Sequence, residues 1–307
     1  MKKITMIFTA LAFVIGIAVI SCTKQSTTPD PAITTATDIV LADNAANDIS
    51  GTIDSYEAVN PTQFVDPATF KALSADGPTT ILGAHVDNCA IVTIVRTPTM
   101  TANVVTGATL SIKIDFGTIG CVGKDGKARR GTITSIYTWV KEAAGWSRVS
   151  TIDLFVSDIH HVGTQTMTYS LFGPNKHAYF TESTSLKVTQ KDNTTWSNLV
   201  SNRTRELIEG NGGVNPVKIW KINGSSSFSN SAGETATHTI SATDPLIKRS
   251  DCKTFTSGTV TTVNKANVTT TVTYAVVTPA TCPDGFTVTI PPKNGKGEMH
   301  WFIKFKI

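Results

Sequence analysis

Strict alternation of apolar and polar residues is the feature that most constrains this chain. Leu110, Ile112, Ile114 and Phe116 alternate with Ser111, Lys113 and Asp115. Val268, Val272, Tyr274 and Val276 keep the same period, and Trp301, Ile303, Phe305 and Ile307 end the sequence on it. Successive side chains of a strand point to opposite faces, so a period of two makes one face for a core and one for water. No helical period intervenes, and parallel crossovers would need those helices, so the strands are expected to be antiparallel. Asp125-Gly126, Asn223-Gly224 and Asn294-Gly295 read as hairpin signals, and Asn211-Gly212-Gly213 as a further turn. About a dozen strands are expected, too many to stay flat and open. The expected fold class is mainly β, with a large antiparallel sheet curled into a half-barrel or split into a sandwich.

Composition agrees. Of 307 residues, 50 are threonine, which is stiff at χ1 and suits a pleated surface better than a helix. A helical bundle, a coiled coil, collagen and a multi-pass membrane protein do not fit this pattern. Hydrophobic residues make up 40% and the net charge is only +4, which argues against a disordered chain.

The first residues stand apart. Lys2 and Lys3 precede an uncharged run from Ile4 to Ile20, short for a membrane span and suited to a signal-peptide core. The run ends Val19-Ile20-Ser21-Cys22, the pattern of a bacterial lipoprotein cleavage site. Residues 1–21 are read as the signal peptide and Cys22 as the acylated N-terminus; an uncleaved anchor helix or an ordinary secretory signal are the alternatives. Membrane association then comes from the acyl chains. Loss of Lys2 and Lys3 takes the net charge from +4 to +2, which gives no reason to expect nucleic acid. Residues 22–37, rich in Thr, Ser and Pro, read as a flexible tether.

A helical segment is expected within 38–74, ahead of a β domain over 75–307. Ile39, Ala42, Ala46, Ile49, Ile53 and Tyr56 recur at steps of three and four over 38–58, with Thr37 as N-cap and Asp38 in the first turn. Gly51 weakens its middle. A short turn is expected over Ala68 to Leu73.

With Cys22 acylated, four cysteines remain. An even count in an exported protein favours disulfides. The intervals 89–121 and 252–282 are similar, each holding two strands and a connection, and they favour Cys89–Cys121 and Cys252–Cys282. Zinc would need closer pairs, so no metal is expected, and free buried thiols are the alternative to disulfides. The two intervals also hint at related halves, about 75–190 and 200–307.

Motifs of catalysis are absent: there is no HExxH, GxSxG, P-loop or calcium-loop ladder. No catalytic residue and no cofactor is expected. Gly210 to Gly213 lacks a following helical pattern and reads as a turn. His160 and His161 are adjacent and would face opposite ways on a strand. His85 and Asp87 could share a face, though strand-edge polarity accounts for them as well. Lys124, Lys127, Arg129 and Arg130 form a basic cluster at the Asp125-Gly126 turn, either solvated or suited to lipid phosphates. Arg203 and Arg205 share a strand face with Leu207; facing a concave interior they would need acidic partners or a ligand. Tryptophans 139, 146, 196, 220 and 301 suit core packing, or sugar stacking where exposed.

Three blocks are distinctive together: Ile114-Asp115-Phe116-Gly117 through Gly120-Cys121 to Gly123-Lys124-Asp125-Gly126-Lys127-Ala128-Arg129-Arg130-Gly131; Asn202-Arg203-Thr204-Arg205-Glu206; and Arg249-Ser250-Asp251-Cys252-Lys253. They resemble successive blocks of a family of uncharacterised β-rich bacterial outer-membrane lipoproteins, over about residues 89–290. The resemblance implies a β fold and a lipid anchor, and no established activity. The expected function is a lipid-anchored envelope protein in the outer membrane, periplasmic or surface-facing, with a non-enzymatic binding or scaffolding role. The expected partners are the membrane, through Cys22, and an envelope lipid or glycan. Alternatives are a carrier of an apolar ligand in a half-barrel lined by residues such as Ile112, Ile114 and Tyr274, and a glycan-binding or glycan-processing surface protein.

Overall fold

The computed structural model describes residues 39–40, 42–43, 45–53, 79–82, 89–102, 104–123, 126–140, 145–170, 177–210, 217–252, 255–274, 281–292 and 297–304. The expected signal peptide, Cys22, the tether, Tyr56, the 68–73 turn, His85, Asp87, Lys124, Asn211-Gly212-Gly213 and Asn294-Gly295 lie outside these. A helix, α1, is formed by the described residues between 39 and 53. Sixteen strands follow: β1 Thr79–Leu82, β2 Ile91–Thr101, β3 Val104–Asp115, β4 Cys121–Val122, β5 Ala128–Val140, β6 Gly145–Val156, β7 Ile159–Ser170, β8 Tyr179–Thr189, β9 Trp196–Glu209, β10 Ile219–Asn230, β11 Thr235–Ile240, β12 Leu246–Arg249, β13 Phe255–Asn264, β14 Thr269–Tyr274, β15 Gly285–Ile290 and β16 Met299–Lys304.

All belong to one antiparallel sheet in nearly sequential order; short β4 pairs with β5, and β12 bridges β10 and β13. The strands number more than the expected dozen because the later part of the sheet is built from short ones such as β11, β12, β14 and β15. β8 pairs directly with β9, so the sheet is continuous between the two expected halves. The two disulfides are Cys89–Cys121 and Cys252–Cys282, with Cα separations of 5.6 and 5.4 Å.

The sheet wraps α1. Lys127 and Arg129 reach Asp48, Gln165 reaches Ser50, and Arg203 and His238 reach Asp43. Six strand spacings separate β5 from β11, roughly 29 Å if flat, whereas a helix with its side chains is about 10–12 Å wide. Only a strongly curved sheet brings both strands to one helix. Ile39, Ala42, Ala46, Ile49 and Ile53 pack with the inward residues of β2, β3, β5 and β6, including Ile112, Ile114, Ile133 and Ile152. Val40 instead joins Ile222, Phe255, Val272, Tyr274 and Phe286. The apolar stripe read from the sequence is therefore buried, and so are neighbouring residues off it.

Asn223-Gly224 is not a hairpin. Both lie inside β10, with Gly224 opposite Arg203 on one side and Ile240 on the other. Glycine is needed there because its φ is 136° and a Cβ would sit 2.2 Å from the Asn202 carbonyl oxygen. The β6–β7 turn falls instead at Ser157 and Asp158, with φ of 48° and 70°.

Candidate binding face

Register carries polarity as well as shape across the inward face. Ser135, Ser150, Gln165, Thr184, Ser201, Ser226, His238, Thr262 and Thr270 are directly paired from β5 to β14, one on each strand except β12. All are buried. Water does not reach such a row, so its partners must be internal. The His238 ring nitrogens and the Thr262 hydroxyl make no hydrogen bond, and the side-chain-to-side-chain bonds within the row lie at its β5–β8 end. Ser135 and Ser150 share a hydrogen bond of 2.8 Å, Arg148 donates to Gln165 at 2.7 Å, and Gln165 donates to Ser50 and Glu182 at 2.6 and 2.9 Å.

Three sequence-predicted arginines belong to this interior. Arg203 meets Asp43 at 2.6 Å and donates to Ser226 at 2.9 Å. Arg205 meets Glu182 at 2.5 Å. Arg129 is buried and lies 3.5 Å from Asp48, to which Lys127 also donates at 2.9 Å. The acidic partners that inward arginines require are present, two of them on α1. The basic turn is not a uniformly solvated tip, because strand parity sends Arg129 inward and Arg130 outward. Burial also pushes His161 and His238 down to about 4, and Lys248, whose ammonium donates to the Cys252 carbonyl at 2.5 Å, down to about 8.

The aromatics divide by face. Trp146, Tyr169 and Phe180 form an inward row, with centroids 5.3 and 4.8 Å apart and planes inclined by 30° and 40°. Their faces are largely occupied by one another, which closes the core rather than offering a platform. The outer face is different. Arg130, Phe155, His160, Thr189 and Trp196 are directly paired across β5 to β9. Each sits opposite in parity to a buried residue nearby on its strand: Arg129, Leu154, His161, Val188 and, three residues along from Trp196, Leu199.

This outer row is partly exposed and preorganised. The Arg130 guanidinium lies 4.2 Å from the Phe155 centroid, and the His160 ring is parallel to Phe155 at 4.0 Å. Asp153 holds the His160 Nε2 at 2.7 Å. Lys187 extends over the Trp196 ring at 5.5 Å. Lys191 pairs with Asp158 at 3.0 Å, and its hydrogen bond holds that exposed carboxyl below its ordinary range. Of these residues the sequence singled out Arg130, His160 and Trp196. Phe155, Lys187 and Asp153 were missed; the available signal was an aromatic on the polar parity of β6, beside Ile152, Leu154 and Val156.

Among the described residues no group of three or more His, Cys, Asp or Glu is placed to hold a metal, and no helix is long and apolar enough to cross a membrane. No family model, curated protein or solved structure matches the chain.

Proposed function

We propose that this is a lipid-anchored protein of the bacterial envelope, acylated at Cys22, whose β domain is a non-enzymatic binding module. The outer membrane is the proposed site, following the lipoprotein-type leader and the resemblance to β-rich outer-membrane lipoproteins. The observation that carries the binding assignment is the outer row, where Arg130, Phe155 and His160 form a fixed stack and Lys187 lies over Trp196. The apolar-carrier reading finds no support. Ile112, Ile114 and Tyr274 are each 2% exposed and sit in clusters with α1 residues, so the concave face is filled by the chain itself at these positions.

Metabolic palmitate labelling with membrane fractionation tests the anchor. The wild type should carry label and sediment with membranes, and Cys22→Ala should lose both. Equal label on Cys22→Ala, or none on the wild type, contradicts the anchor.

A further inference from the structure

We propose that β16 is a docking edge for β16 of a second copy of this chain, the two strands pairing antiparallel about a two-fold axis at Trp301. β16 is the last strand of the sheet and, among the described residues, pairs only with β15. Successive residues of a strand turn their N–H and C=O groups to alternate sides, so half of the β16 backbone groups face away from β15. A row of this kind is a template for another strand.

This edge lacks the usual guards. No Pro, Lys, Arg, Asp or Glu falls between Met299 and Ile303. The ladder to β15 runs from Gly285 opposite Lys304 to Ile290 opposite Met299 without a bulge. The other edge, β1, is only four residues long, and a short edge strand is itself a guard. On β16, Phe302 is 59% exposed on the outer parity, next to exposed His300.

The residues around Trp301 identify the partner, because they are complementary to themselves. An axis at Trp301 sets Glu298 of one copy opposite Lys304 of the other, Met299 opposite Ile303, and His300 opposite Phe302. Opposite charges, apolar pairs and aromatic pairs directly across a ladder each favour it. By symmetry each of these pairs occurs twice. Met299 and Ile303 pack on the core cluster of Val272, Phe286 and Val288, so the apolar layer would continue from one copy into the next. An axis at His300 would set Glu298 against Phe302, and one at Phe302 would set Lys304 against His300. Neither gives Glu298 a base of the strand.

Cysteine pairing in the detergent-solubilised full chain tests the register. Copies carrying His300→Cys and copies carrying Phe302→Cys, both at exposed side chains, should form an intermolecular disulfide when mixed under mild oxidation. Directly opposite Cα atoms lie roughly 4.5–5.5 Å apart, within reach of a disulfide. Either variant alone should cross-link far less, because like positions are two residues out of step. The dimer dissociation constant, from analytical ultracentrifugation, should rise roughly tenfold in Glu298→Lys, since two like-charged pairs replace two opposite ones. Glu298→Lys combined with Lys304→Glu should return it toward the wild-type value. A double variant as weak as the single one, or cross-linking of either cysteine variant alone as strong as the mixture, overturns the proposed register and the proposal with it. No cross-link in the mixture, with folding verified by circular dichroism, overturns the docking edge. Stronger cross-linking of Phe302→Cys to Thr80→Cys would assign the edge to β1 and overturn the pairing of β16 with itself.

Discussion

Asp43 on α1 and Arg203 on β9 meet at 2.6 Å, with side chains only 2% and 5% exposed. The pair ties the helix to the middle of the sheet, and His238 on β11 approaches the same carboxylate at 3.3 Å. Removing one partner strands the other charge in the interior. Arg203→Met should therefore destabilise the fold by about 3–5 kcal/mol. Arg203→Met combined with Asp43→Leu should recover much of that loss, because two apolar groups replace two charges. Urea unfolding of the single and double variants measures both. An equal loss in both would show that the carboxylate is not left unpaired by the single change.

Stability should fall with acid in a defined window. Burial holds His161 and His238 near 4, below the ordinary imidazole value of 6.5. In the unfolded chain they bind protons first, so their contribution is complete above about pH 6.5 and is lost as pH falls toward 4. The effect is bounded at about 3 kcal/mol per histidine. Unfolding midpoints measured from about pH 7 to about pH 4 should drop steeply in the wild type and less steeply in His161→Leu. An unchanged slope in that variant contradicts the assignment.

Two glycines should respond in opposite directions. Gly51 is exposed in α1 and an added Cβ meets nothing within 4 Å, so Gly51→Ala should stabilise by roughly 0.5–1 kcal/mol. Gly224 has φ of 136° and a backbone oxygen 2.2 Å from the position of a Cβ. Gly224→Ala should destabilise by at least about 1–3 kcal/mol. Thermal melts of the two variants give the comparison directly.

The disulfides span 32 and 30 residues, so their losses should be alike. Chain entropy gives about 3–4 kcal/mol for each. Replacing either pair with serine should produce similar shifts in urea midpoint.

Period-two patterning made the sheet and its antiparallel pairing legible, and the even count of cysteines in two similar intervals made both disulfides legible. The α1 stripe was legible for the same reason, at a period of 3.6. Register was not legible. Asn223-Gly224 has the composition of a tight turn, and only the close approach of β9 explains why the glycine belongs inside a strand. Ser157 and Asp158 make the true β6–β7 turn without glycine, so composition did not mark them. The basic turn was visible as a charge cluster, but the inward course of Arg129 depends on Asp48, which is 81 positions earlier in the chain. The outer stack was least visible, because Arg130, Phe155, His160 and Trp196 become neighbours only through the pairing of β5 to β9.

The central claim is that ligand contact belongs to the outer face and not to the helix-filled concave face. Fluorine NMR of the chain labelled at its five tryptophans separates these directly. On titration with an envelope glycolipid in detergent, the Trp196 resonance should shift, while those of Trp146 and Trp220 stay in place. Shifts at Trp146 or Trp220 with Trp196 unmoved would contradict the account.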